Sequence, residues 1–272
     1  MSSPEPSLPP DGSDDASADR FAALVTPEKV GDDRFRIDVS GMLRRHLFGG
    51  VVAAQSLHVA STTVEVGRQP HSAHAYFLRR GDPGRPIDFE VHRDTDGRGF
   101  SARRVAAIQD GAPIFTMVCS FQVPADSEEH LSPMPTAVPD PLEMDLLEHH
   151  AVEGYLEVRY LDRPSPKTGA GARTQLWVRA NGALPDDPVL HDCLRFCASD
   201  MGTPWGVAPV PGRRLVSLDH AIWSYQRSRM DEWHLLELEP HAFSSGRGFY
   251  TGRMWHHDGD QVASMAQEVL LR

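Results

Sequence analysis

The sequence predicts an α+β protein made of two tandem copies of one unit, each an antiparallel sheet curled around a single helix. Repetition is the first sign. "GRGF" begins at Gly97 and again at Gly246, His74-Ala75 is answered by His220-Ala221, and the turn Asp110-Gly111 by Asp258-Gly259, with offsets of 149, 146 and 148 residues. These landmarks keep their order, and each copy closes on an apolar strand, "PIFTMVCSFQ" or "QVASMAQEVLL". The plan inside each copy is the second sign: one helix-like segment, then β-rich runs of period two joined by Asp-Gly hairpin signals.

Residues 1–20, rich in Pro, Ser and Asp, predict a disordered tail that lacks the apolar content for a core. Order is expected from Phe21, and the first unit covers 21–122, with its helix in "FGGVVAAQSLHVAST". Residues 123–147 are acidic and Pro-rich and predict an interdomain linker. The second unit then covers 148–272, and its helix lies in "PVLHDCLRFCASDMG". Asp187 is placed to cap that helix, Pro188 suits its first position, and Gly202 suits a left-handed stop.

Composition narrows the function classes. A chain of 272 residues, 40% hydrophobic and 24% charged, is an ordinary globular composition with room for a full core. The net charge of −11 is concentrated: residues 1–20 carry five acids against Arg20, and 123–148 carry seven acids with neither Lys nor Arg. Nucleic acid needs concentrated positive charge, so it is not an expected partner. No apolar run reaches the length of a membrane span. The polar, acidic start lacks the pattern of a signal peptide, and the closing "EVLLR" is not a peroxisomal address, so the cytoplasm is the expected location. Cys119, Cys193 and Cys197 have no metal-like pairing, and no disulfide is expected. No phosphate loop or nucleophile elbow is present, and Gly97-Arg98-Gly99 precedes a strand rather than a helix, so no cofactor is expected.

Three polar residues stand out in the second copy. Cys193, Phe196, Cys197 and Asp200 share one helical face, which sets a carboxylate on apolar surface near the negative end of the helix dipole. Burial and dipole both favour the neutral acid and raise its pKa, which makes a better general base; the bland alternative is an Asp facing solvent in the last turn. Ser217 lies in an apolar strand pattern, where a hydroxyl also has the option of bonding the backbone. Gln267 interrupts "VASMA…VLL", either as an inward amide that needs partners or as an outward strand residue. Aligned by the landmarks, Gln267 falls opposite Cys119 and Ser217 opposite His71, and residues 48–63 contain no acid. Acid, hydroxyl and amide therefore gather only in copy two, as expected of a duplicated enzyme in which one ancestral site was dropped.

The stretches "LFGGVVAAQSL", "HSAHAYFLRRGD", "FSARRVAAIQDGAPIF", "WVRANGALPDDPVLHDCL", "ASD", "DHAIW" and "DGDQVASMAQE" resemble the acyl-CoA thioesterase II family, in order over about residues 40–272. The resemblance implies a double hotdog and hydrolysis of acyl-CoA to a free fatty acid and CoA, within fatty-acid metabolism. It assigns the water-holding Asp, hydroxyl and Gln to Asp200, Ser217 and Gln267, without metal or cofactor. It also implies assemblies of double-hotdog chains. The chain departs from the family in carrying Ser217 where Thr is usual and in a shorter path from Asp200 to Ser217. Two rivals are a hotdog enoyl-CoA hydratase, opposed by Trp205 where a His is wanted, and a non-catalytic acyl-CoA-binding hotdog protein.

Further groups carry weaker signals. Gly49 and Gly50 open the first helix, where backbone N–H groups suit an oxyanion. His71 and His74 face opposite ways on a strand, and His149-His150 and His256-His257 read as exposed pairs. Arg103, Arg104 and Arg247 are placed to meet CoA phosphates, although solvated surface arginines are the simpler reading.

Overall fold

The computed structural model describes residues 14–39, 47–144, 154–162, 172–205 and 215–272. The elements run α1 (Asp14–Val25), β1 (Glu28–Gly31), β2 (Arg34–Ile37), α2 (Gly49–Ser61), β3 (Gln69–Phe77), β4 (Ile87–Asp96), β5 (Phe100–Gln109) and β6 (Ala112–Gln122). After a short turn of 3₁₀ helix at Pro141–Glu143 come β7 (Leu156–Asp162), β8 (Thr174–Ala180), α3 (Pro188–Ser199) and β9 (Leu215–Ser217). The chain closes with β10 (Asp219–Ser224), β11 (His234–Ser244), β12 (Arg247–His256) and β13 (Gln261–Leu271).

The duplication is written into the sheet. Its order is β1-β2-β4-β5-β6-β3-β10-β13-β12-β11-β8-β7, so the second half mirrors the first about an antiparallel β3–β10 seam. Helices α2 and α3 lie together against its inner face. α2 is buried nearly all round, as "VVAAQSL" allows, because the sheet, α1 and α3 all press on it. Asp187 caps α3 by accepting the Val189 N–H, Pro188 occupies the first turn, and Gly202 after its end has φ +73°. The GRGF landmarks open β5 and β12. The Asp110-Gly111 turn places both residues at positive φ, which matches the right-handed strand twist of a tight hairpin.

Two expectations change. Helix α1 starts within the stretch assigned to the tail, because Phe21, Leu24 and Val25 bury one face against the core and the buried Gln55 of α2 donates to the Leu24 carbonyl. The described part of the linker is not a loose tether. It lies across the outer face of the second half, over an apolar patch of Trp177, Trp233, Leu235 and Trp255 that is packed with Met134, Val138 and Met144. The Trp177 and Trp255 indoles donate to the carbonyls of Pro139 and Ser132, and Arg159 donates to those of Pro141 and Met144. A Pro-rich strap suits this surface, since it has carbonyls to accept these donors and few N–H groups to satisfy.

Candidate active site

Asp200 caps the C-terminus of α3 and is 7% exposed. Its Oδ1 accepts the Gln267 amide at 2.9 Å, and the carboxyl also accepts the backbone N–H of Gly50. Burial pushes its pKa up to about 7, against the pull of those two hydrogen bonds. Gln267 projects inward from β13 and is 2% exposed. The same Nε2 donates to Ser217 Oγ at 2.7 Å, where β9 runs along β13. All three side chains singled out in the sequence thus meet in one hydrogen-bonded chain.

The start of α2 completes the site. Its N-cap, Phe48, contributes no side-chain hydrogen bond, unlike Asp187 on α3. A Cβ on Gly49 would stand 2.5 Å from the Phe77 ring and 2.9 Å from Asp200 Oδ2, and one on Gly50 2.6 Å from the Cys197 carbonyl. Only glycine lets the two helix ends approach so closely. The positive end of α2 therefore faces the carboxylate at the negative end of α3, an arrangement that receives negative charge well.

Sequence reasoning missed two members of the site. His220 is fully buried, with Nδ1 2.7 Å from Gln267 Oε1, Nε2 2.7 Å from Ser199 Oγ, and its ring stacked on Phe196. Burial lowers its pKa to about 4, so it is neutral near pH 7, and its Nδ1–H donates to Gln267 Oε1. That bond turns the Gln267 NH₂ toward Asp200 and Ser217. Tyr250 is the cross-strand neighbour of Gln267 and is buried, with its hydroxyl bonded to the Thr203 side chain. Burial, then the nearby Asp200 carboxylate, push its pKa well above the usual tyrosine range. His220 sits in the "DH" pair beside Ser217, a signal legible in the sequence; Tyr250 gives none.

The register also corrects the alignment of the copies. Ala73 pairs with Cys119, whereas in the second half the position beside Gln267, one step past the Ala221–Ala266 pair, is His220. With Gln267 matched to Cys119, His220 stands in the place of Ala73, and Ser217 in that of Pro70 rather than His71. The His-Ala landmark is thus out of structural register by one residue, which in a strand exchanges the faces: His74 is exposed and His220 buried. At the first-copy position Arg103 replaces Tyr250 across from Cys119. Its buried guanidinium fills the space, donating to Thr63 Oγ1, to the carbonyls of Thr63, Thr95 and Ala102, and to Asp96. Arg103 is therefore no phosphate ligand. Arg104 pairs with Asp94 and Arg247 with Glu268.

Comparisons with known proteins give the family and the fold. Residues 38–122 match the family model of the acyl-CoA thioesterase N-terminal domain, and residues 124–271 that of the C-terminal domain. The chain belongs to the acyl-CoA thioesterase family. It is 34% identical to acyl-CoA thioesterase 2 of Haemophilus influenzae, over 92% of this chain and 96% of that one. It is 33% identical to acyl-coenzyme A thioesterase 8 of Homo sapiens, over 100% and 97%. Among solved structures, an acyl-CoA thioesterase II from Mycobacterium marinum superposes with a TM-score of 0.80 at 34% identity, covering 93% of this chain and 97% of that one. The fold is the double hotdog. No helix among the described residues is long and apolar enough to cross a membrane.

Proposed function

We propose that this protein hydrolyses acyl-CoA thioesters to a free fatty acid and CoA, using a water activated by Asp200. The observation that carries the reading is a buried carboxyl with a pKa of about 7, hydrogen-bonded to Gln267 and to the uncapped start of α2. Such a group is part-ionised near neutral pH and takes a proton readily. Gln267 spends both amide protons on Asp200 and Ser217, so it serves as a bridge that sets their spacing. The water then sits between Asp200 Oδ2 and the Ser217 hydroxyl, whose own proton remains available to orient it.

In the reaction the water oxygen attacks the thioester carbonyl carbon while Asp200 accepts a water proton. The carbonyl oxygen becomes an oxyanion that faces the positive end of the α2 dipole, whose Gly50 N–H is already given to Asp200. Collapse breaks the carbon–sulfur bond, and Asp200 returns its proton to the departing CoA thiolate. General-base assistance of this kind contributes roughly 10²–10⁴ in rate. Trp205, five positions after Asp200, packs its ring on Gly248 and Phe243 and offers no acid or base, which weighs against a hydratase.

The same reading takes the protein as cytoplasmic and homo-oligomeric, with hotdog units at 21–122 and 148–272. The test is to incubate the full chain with acyl-CoAs of increasing chain length and follow free thiol. Binding without thiol release at every length would favour the non-catalytic rival and sink the hydrolase.

A further inference from the structure

The geometry points to a divalent transition-metal site at Glu232, His256 and His257, remote from the proposed reaction. One ligand atom from each of these residues lies within 4.8 Å of the others. They come from two adjoining segments: the loop entering β11, and the end of β12 with the turn that follows it. By sequence alone His256-His257 reads as an exposed pair. The structure leaves His257 exposed but holds the His256 side chain at 12% exposure, because it is clasped from both sides. Its Nε2 lies 2.7 Å from Glu232 Oε2 and its Nδ1 2.7 Å from Asp258 Oδ1.

That clasp has the form of a metal-ligand histidine. A ligating imidazole characteristically gives its second ring N–H to a carboxylate, which fixes its tautomer and makes it more basic; Asp258 is so placed. The His257 ring centroid is 4.3 Å from that of His256. Two imidazoles with one carboxylate make three ligands of a tetrahedral ion, with water as the fourth. Tetrahedral ligands at about 2.0–2.2 Å stand roughly 3.3 Å apart, so Glu232 needs to withdraw only a little from His256 Nε2. Its side chain is 46% exposed and has the freedom to do so.

The two segments are tied together at the backbone. The His257 N–H donates to the Trp233 carbonyl at 2.9 Å, joining the two segments. Trp233 and Trp255 are buried behind them. His234, the cross-strand partner of His256, is not a ligand: its Nε2 meets Ser228 Oγ and its Nδ1 the Glu232 carbonyl. Imidazole donors select a borderline ion such as Zn²⁺ over Mg²⁺ or Ca²⁺, which prefer oxygen. The site is six residues along β12 from Tyr250, roughly 20 Å at strand rise, so the ion would act as a clip between the segments rather than a catalyst.

The test uses the full chain, freed of metal with a chelator and titrated with Zn²⁺ by calorimetry in a non-coordinating buffer. One saturable equivalent is expected, with no comparable step for Mg²⁺ or Ca²⁺. His257→Ala and Glu232→Gln should each weaken it at least tenfold, and Asp258→Asn by about 10–100-fold. Zn²⁺ should raise Tm in the parent but not in His257→Ala, whose thiol release should be unchanged. The assignment is overturned by absence of a saturable step, by a step that persists in the His257→Ala/Glu232→Gln double variant, or by one that disappears with His149→Ala/His150→Ala instead. Because His257 is exposed, its variant tests ligation and not folding.

Discussion

Replacing Asp200 with Asn should strongly depress activity and, at the same time, change how stability depends on pH. In the native protein the Asp200 carboxyl keeps its proton up to about pH 7, whereas its ordinary value is 3.8. Between those values the native state binds one more proton than the unfolded chain, so stability falls as pH rises through this window and is level above it. A separation of about three pH units at about 1.4 kcal/mol each makes a loss of order 4 kcal/mol by pH 8. Asn has nearly the same shape and cannot ionise, so that loss disappears. It has a single acceptor oxygen for the two donors that reach Asp200, Gln267 Nε2 and Gly50 N, which costs about 1–3 kcal/mol at every pH. Between about pH 4 and pH 8 the stability of Asp200→Asn relative to the parent should therefore shift by about 4 kcal/mol in favour of the variant. Urea unfolding at a series of pH values, with the m-value shared, measures it. Parallel pH curves for the two proteins would refute a buried, perturbed carboxyl. Thiol release by the variant should fall by roughly 10²–10⁴.

Four more outcomes follow from the same geometry. Parent activity should rise with pH toward a plateau above about 7, as Asp200 ionises; a rate that declines through that range would rule it out as the base. Ser217→Thr should retain thiol release and Ser217→Ala should lower kcat by up to about tenfold, the worth of one hydrogen bond. His220→Ala frees the Gln267 amide to turn and should depress kcat with little change in KM, while His220→Asn, whose amide N–H replaces Nδ1–H, should recover part of it; equal losses would deny His220 its positioning role. Gly50→Ala forces a methyl to 2.6 Å from the Cys197 carbonyl and should destabilise the fold by about 1–3 kcal/mol in a thermal melt.

Much of this protein is legible in its sequence because the deciding features are local. The cap at Asp187 and Pro188, the stop at Gly202 and the Asp-Gly turn each rest on residues within a few positions of one another, and the tandem units on short landmarks that recur in the same order. The gathering of Asp200, Ser217 and Gln267 in one copy also needs only residue types and a rough alignment of the repeats. That alignment fails at single-residue precision: matching His74 to His220 slips by one residue against the registers of Ala73 with Cys119 and of Ala221 with Ala266, and one residue reverses the faces of a strand.

What only the tertiary structure decided depends on parts of the chain that are distant in sequence. Nothing near Gly50 announces that its N–H will meet Asp200; the β3–β10 seam and the packing of two helix ends bring them together. Tyr250 joins the site through the β12–β13 register, and Arg103 leaves the surface because the first copy has a space beside Thr63 that its guanidinium fills. The acidic linker became a strap because tryptophans on separate strands form one apolar patch only after the sheet has assembled. Local pattern determines which residues are present and which way each strand or helix faces; the pairing of distant surfaces determines which of them touch and which are buried, and the raised pKa of Asp200 is a property of that burial.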